Sequence, residues 1–479
     1  MTALPPKGTP AAEILAELEE RAAGDVDWKT GRVLTGLYDP GETAHNLAVS
    51  AYTRYLAQNA LYINMYPSVG ELEREVVGAI RELLRGDDAT CGNVTSGGTE
   101  SILVAMKASR DHAREHRPEI FDPEILVPVT AHPAFLKAAH YLGMRVRVAP
   151  VDSVGFRTDL KAFEAALGPN TIVAVGSAPN FSHGTVDPIA DMAAMAAARN
   201  ILFHVDGCVG GIYLSVLRRM GRPVRDFDFS VPGVTSISVD LHKYGYAPKN
   251  ASVVAYRDRE LRKHAWFVCS STTEYAVINP TAQSTRTAGP VAAAWAVMRH
   301  FGEEGFAEIV AATEGATAKM LRAIEDIAGI EVLGDPEMAM FTLASDASDE
   351  INIFELDDRM RARGWSLLPQ FACGGSPANL HVSIGRQNVA MVDTFVDDLR
   401  ECVGELLTNG PSLDSDEMAR VVEAVLDKPL DDILIAIAPL AGLTGAALPE
   451  NMGPLNTMLN LLPADRRDEL LRAYVNMTS

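Results

Sequence analysis

Between Cys91 and Tyr256 the apolar residues gather into short, mostly continuous runs: ILVPVT, RVRVAPV, TIVAVGS, ILFHVD and TSISVD. Stretches such as AFLKAAHYLG, DLKAFEAALG and IADMAAMAAARN lie between them, with apolar positions at helical spacing. Runs of this kind suit strands buried on both faces. Their alternation with helices predicts βαβ units, hence an α/β fold with a mostly parallel sheet flanked by helices. SVVAY, at 252–256, supplies one more strand. After Pro290 the period lengthens into helices, and strands return only near FTLASD and LHVSIG. The pattern predicts a helical segment over 1–90, a large α/β domain over 91–290, a smaller α+β domain over 291–410, and a tail over 411–479 to which no role is assigned.

The chain of 479 residues carries a net charge of -21, which argues against nucleic acid or an anionic membrane surface as a partner, while a local basic pocket can still bind phosphate. Its five cysteines show neither C-x-x-C spacing nor the density of a disulfide framework, so a reducing cytoplasm is expected. The start, MTALPPKGTPAAEILAELEERAAG, reads as an amphipathic helix after a proline-rich lead and not as a signal peptide. The one long apolar run, over 433–448, is shorter than a spanning helix and is broken by Pro439 and Gly442. It reads as a buried or partner-covered segment, and no stable membrane anchor is expected.

Candidate chemistry begins with SVDLHKYGYAPK. Lys243 follows a strand, between His242 and Tyr244, and Gly245 and Pro248 then turn the chain. Strand ends are where α/β folds place ligands. Most lysines are solvated, but one in this setting is partly desolvated, which is expected to lower its pKa and free its amine for Schiff-base chemistry. In NVTSGGTES, Gly98 and Thr99 open a helix and can cradle an anion. This is no P-loop, and a glycine pair alone is equally an ordinary helix start. Asp206 ends the run ILFHVD, where a carboxylate calls for a cation such as a protonated pyridine or for a structural partner. His132, in VTAHPAF, sits at another strand end and offers a ring to stack on a heterocycle, although a lone histidine is more often structural. Together, a phosphate cradle, a stacking ring, an acid for a ring nitrogen and a lysine, with His242 beside it, are what pyridoxal 5'-phosphate requires. No metal is called for.

VTSGGTES, TAHPAFLKAAHYLGM, HVDGCVGG and SISVDLHKYGYAPKNASVVAY closely resemble the sphingosine-1-phosphate lyase family, within the pyridoxal-phosphate-dependent group II amino-acid decarboxylase superfamily. The resemblance runs from about residue 31 to 305, and HKYGYAPK points to the lyase branch. It implies a fold-type I architecture and a homodimer with active sites at the subunit interface. It also implies that Ser284 and Thr285 reach the cofactor phosphate of the partner. Tyr38 and Lys249 match positions that contact the substrate phosphate, and Tyr62 in NALYIN stands where the family has a histidine. Tyrosine still donates a hydrogen bond but carries no positive charge near neutral pH.

The expected reaction is retro-aldol cleavage of the Cα-Cβ bond of a β-hydroxy amine, phosphorylated or not, with Lys243 or a nearby tyrosine moving protons. The alternative is an amino-acid decarboxylase, with Arg386 in LHVSIGRQN holding the carboxylate, although an isolated arginine of this kind is more often a surface residue. Behind these stand a decarboxylative aldolase and a non-catalytic cofactor-binding scaffold.

Overall fold

The structure, a computed structural model, describes residues 4–478 apart from 274, 347, 349–350, 411–414, 430–431, 434–435, 437 and 442–448. Seven strands form the main sheet: β1 (Cys91–Thr95), β2 (Glu124–Pro128), β3 (Arg145–Ala149), β4 (Thr171–Ser177), β5 (Leu202–Asp206), β6 (Ser236–Asp240) and β7 (Ser252–Tyr256). Their order is β1-β7-β6-β5-β4-β2-β3. Strands β3, β2, β4, β5 and β6 are successively parallel, and β7 runs against both β6 and β1. The reversal has a local cause. Only residues 241–251 join β6 to β7, too few for the crossover that a parallel pair needs, so the two make a hairpin whose loop carries Lys243.

The continuous apolar runs are accounted for by burial on both faces: β2, β4, β6 and β7 are buried at every position. Phe203, Val205, Ile237, Val239 and Val253 belong to one core that continues into Phe341 and Leu380 of a second sheet. After a short hairpin, β8 (Phe267–Cys269) with β9 (Val277–Asn279), that second sheet comprises β10 (Ile330–Val332), β11 (Met340–Ser345), β12 (Leu368–Gln370) and β13 (Asn379–Ser383). It is antiparallel, in the order β10-β11-β13-β12. Helix Gly289–Ile324 breaks at Gly302, whose φ of 57° lies in the left-handed region that glycine adopts without strain.

Helix Ala11–Ala22 forms as its pattern predicts but buries no residue. The tail forms helices Ser415–Val425, Gly453–Leu461 and Ala464–Thr478 around Met418, Val422, Leu455 and Met458, a core separate from the main one. Asp358 holds this module by accepting hydrogen bonds from the backbone N-H groups of Met452 and Gly453 at 2.8 and 2.7 Å. Most of the apolar run 433–448 lies outside the described residues; within it, Ile433 and Ala441 are buried in the module. Among the described residues no helix is long and apolar enough to cross a membrane.

Candidate active site

The carboxyl ends of β1, β5 and β6 converge on a cavity of about 330 Å³ lined by Ser96, Gly98, Thr99, His132, Asp206 and Lys243. Helix Gly98–His116 points its first turn into it. Gly98 is required by close approach, because a Cβ there would lie 2.8 Å from Asp240 Oδ2 and 2.9 Å from Cys208 Sγ. Glu100 fixes the mouth of the helix: its carboxylate accepts from the backbone of Ser96 at 2.6 Å and of Ala282 at 2.8 Å. A buried hydroxyl chain, Thr95 to Ser101 at 2.5 Å and Ser101 to Ser252 at 2.9 Å, pins the same turn to β1 and β7.

Asp206 accepts from the Cys208 backbone N-H at 3.1 Å and the Ser238 hydroxyl at 3.4 Å. Burial alone would raise its pKa, but His132, Lys243 and the hydrogen bonds at Cys208 outweigh that and hold the carboxyl below its usual range. His132 Nδ1 accepts from Ala134 N at 3.1 Å, and burial, opposed by Asp206, keeps the ring's pKa low, so the imidazole is neutral.

Lys243 occupies the position that the sequence predicts, but the expected lowering of its pKa is overturned. Desolvation does push the amine down, yet Asp240, with Cys208, Tyr38 and Asp206 behind it, raises it on balance. Nζ lies 3.1 Å from Asp240 Oδ2, and that carboxylate is almost fully buried. Sequence reasoning overlooked Asp240, although SISVD gives a signal: Ser236, Ser238 and Asp240 are polar at every second position of a strand that has no solvent face. Glu100 and Cys208 were overlooked too. Glu100 was legible as an acid in the first turn behind a glycine pair; Cys208, two positions after the end of β5, gave no such signal.

The lysine turn is held by two tyrosines. Tyr244 donates to the carbonyls of Ala339 and Ile384 at 2.8 and 3.2 Å, and Tyr246 accepts from the Arg386 backbone N-H at 3.2 Å. Both rings are buried, so the second sheet fixes the place of Lys243. His242, whose Nδ1 accepts from Ala251 N at 3.3 Å, walls the cavity and also faces a neighbouring one of about 300 Å³. There the structure brings Tyr38 and Lys249 together, with Lys249 Nζ 5.4 Å above the Tyr38 ring and 2.8 Å from the Gly36 carbonyl. Burial pushes the Tyr38 phenol up to about 12, and desolvation with the nearby Lys243 lowers Lys249.

Four of the predicted residues lie elsewhere. Arg386 lines a third cleft with Gly41, Thr43 and His300. Tyr62 is 40% exposed, on a turn outside both cavities, and Ser284 and Thr285 are exposed on a segment whose backbone leans on Glu100. The two exposed pieces are stitched together, since Ala60 N donates to the Arg286 carbonyl at 2.9 Å.

The residues at the first cavity fit pyridoxal phosphate. The glycine cradle leaves room for a phosphate at a helix start, an ionised acid faces the site, and Asp240 Oδ1 is buried without a hydrogen-bond partner beside an amine. Comparison with known proteins agrees. The profile of the pyridoxal-dependent decarboxylase conserved domain matches residues 2–343, and one named for a C-terminal HTH domain of pyridoxal-dependent enzymes matches 411–477. The sphingosine-1-phosphate lyase of Oryza sativa is 38% identical over 86% of this chain and 76% of its own, and sphingosine-1-phosphate lyase 1 of Rattus norvegicus is 40% identical over 85% and 70%. The solved sphingosine-1-phosphate lyase of Burkholderia pseudomallei superposes with a TM-score of 0.80 at 34% identity, covering 90% of this chain and 98% of that one. The chain thus belongs to the pyridoxal-dependent decarboxylase family, among its sphingosine-1-phosphate lyases, and is a pyridoxal-phosphate-dependent lyase acting on a small molecule.

Proposed function

We propose that the chain cleaves the Cα-Cβ bond of a phosphorylated β-hydroxy amine and releases an aldehyde. The supporting observation is the pair of cavities that share His242, one bearing Lys243 and Asp206, the other Tyr38 and Lys249. Bound pyridoxal phosphate supplies an electron sink for the electrons left at Cα. Asp206, held ionised, would partner the pyridine nitrogen of the cofactor, His132 would offer its neutral imidazole to the ring, and Gly98 and Thr99 would hold the cofactor phosphate. Lys243 would hold the cofactor and, once the substrate amine has displaced it, would take the proton of the β-hydroxyl and return it at Cα. Tyr38 keeps its own proton near neutral pH, so it serves as a hydrogen-bond donor to the substrate phosphate beside the Lys249 ammonium and leaves proton transfer to Lys243. Arg386 opens on another cleft, which removes the carboxylate clamp that the decarboxylase reading needs.

A homodimer completes the site. Tyr62, Ser284 and Thr285 sit on one outer face of their own chain, and helix Ala11–Ala22 exposes Ile14, Leu15 and Leu18. A second copy that covers these surfaces would bring the partner's Ser284 and Thr285 to the cofactor phosphate and the partner's Tyr62 toward Lys249. The five unpaired thiols support a cytoplasmic setting.

The test is to incubate the holoenzyme with a phosphorylated long-chain base, its unphosphorylated counterpart and common amino acids, assaying aldehyde and carbon dioxide together. Aldehyde without carbon dioxide is expected. Tyr62→His should then lower the Michaelis constant for the phosphorylated substrate by up to about fivefold, since tyrosine already donates the hydrogen bond and the exchange adds only the attraction of a charge, roughly 1 kcal/mol. Carbon dioxide without aldehyde would refute the assignment.

A further inference from the structure

Away from the active site, the far end of helix Gly98–His116 meets the turn Lys263–Ala265 in a cluster of imidazoles and a carboxylate. About 27 Å of helix, at 1.5 Å per residue, separates this cluster from the phosphate cradle. The Glu115 carboxylate lies between two histidines, with Oε1 3.9 Å from His116 Nε2 and Oε2 3.9 Å from His264 Nε2. The donor atoms of all three residues fall within 4.8 Å of one another.

Two features point beyond a chance cluster. His264 is buried, 8% exposed, and its Nε2 has no hydrogen-bond partner although it faces this group. His116 Nδ1 lies 3.0 Å from the His112 carbonyl, to which it can only donate, leaving Nε2 as the lone-pair atom toward Glu115. A carbonyl contact of this kind orients metal-binding imidazoles. In a tetrahedral site with bonds of roughly 2.0–2.1 Å the donors stand about 3.4 Å apart, so the observed spacing closes with small side-chain rotations.

We propose that Glu115, His116 and His264 bind a divalent transition-metal ion of the zinc class, a site separate from the cofactor chemistry. The ion would tie the end of the cradle helix to the segment that follows β7. Its competitor is Lys263, whose Nζ holds Glu115 Oε1 at 2.9 Å and Glu260 at 3.2 Å. Such solvent-exposed pairs contribute little and yield readily.

Zinc chloride titrated calorimetrically into chelator-treated, pyridoxal-phosphate-loaded enzyme should show one ion bound per chain at micromolar affinity or tighter. Cobalt(II) should give the intense visible bands of a tetrahedral site, and saturating zinc should raise Tm by on the order of a few degrees. His116→Gln, at an exposed position where folding is not at stake, should weaken zinc binding by at least about tenfold, as should Glu115→Gln, with turnover unchanged. Absence of stoichiometric binding, or wild-type affinity retained in both variants, overturns the proposal.

Discussion

The cavity at the ends of β5 and β6 and the outer surface around Tyr62 and Ser284 both hold residues that motif resemblance assigns to one site, yet the fold treats them in opposite ways. In the cavity Asp206, Asp240 and Lys243 are packed, ion-paired and hydrogen-bonded within one chain, and two buried tyrosines lock the turn that bears the lysine. Tyr62, Ser284 and Thr285 are exposed, and their segments are tied mainly to each other and to Glu100. A self-contained region can be read for chemistry from a single chain. The other, on the proposed dimer, would become functional only when a second copy supplies the missing surface.

The largest effect that tests this contrast is loss of the lysine. Lys243→Ala should reduce turnover by orders of magnitude, and borohydride reduction of the wild-type holoenzyme should label Lys243 and no other residue. The Ser284→Ala, Thr285→Ala double variant should also be crippled, but by losing what it gives to its partner. Mixing the two inactive proteins and letting subunits exchange then regenerates one intact site in each mixed dimer, so roughly a quarter of wild-type activity should return if sites are shared. No recovery on mixing would mean that the outer surface serves some other purpose.

How far the sequence could be read follows the same division. Strands β2 and β4 to β7 were legible because burial on both faces leaves a mostly apolar run, whereas β3, at the sheet edge and largely open to solvent, alternates arginine with valine; Lys243, Asp206 and His132 were legible because strand ends in such a sheet face the ligand. The protonation state of Lys243 was not. It depends on Asp240, three residues away along the chain but placed against the amine only by the hairpin geometry. The tail was opaque for a different reason. Its helices bury their apolar faces on one another, and the contacts that attach it, Asp358 with Gly453 and Arg467 4.4 Å from the centre of the Phe371 ring, join residues nearly a hundred positions apart. Within the matched span 411–477, Asp and Glu outnumber Lys and Arg, a charge balance unsuited to binding DNA phosphates.

A smaller effect separates the acid at β5 from the acid at β6. Asp206→Ala should lower kcat by about 10²–10³, the range of roughly 2.7–4 kcal/mol found when one preorganised electrostatic contact is removed, while the cofactor stays bound through Lys243. Asp240→Asn instead takes away the charge that holds the free lysine protonated. Its signature should be a downward shift in the pH at which the cofactor-free enzyme captures pyridoxal phosphate, because the amine then loses its proton more easily. A similar shift from Asp206→Ala, with none from Asp240→Asn, would reverse the two roles.

The smallest effect belongs to Arg386, and it decides whether the third cleft takes part. If the substrate anion is a phosphate held at Tyr38 and Lys249, Lys249→Gln should raise the Michaelis constant by about ten- to a hundredfold, the worth of a hydrogen bond to a charged group. Arg386→Gln should change kcat/KM by no more than about threefold, since an exposed side chain outside the reacting cavities ordinarily shifts energies by under about 0.5 kcal/mol. Its backbone N-H, which holds the Tyr246 hydroxyl, is untouched by the substitution, so the lysine turn keeps its place. Should Arg386→Gln cost as much as Lys249→Gln, the anion must reach across Gly41 into that cleft. A carboxylate-bearing substrate would then have the clamp that the geometry here denies it.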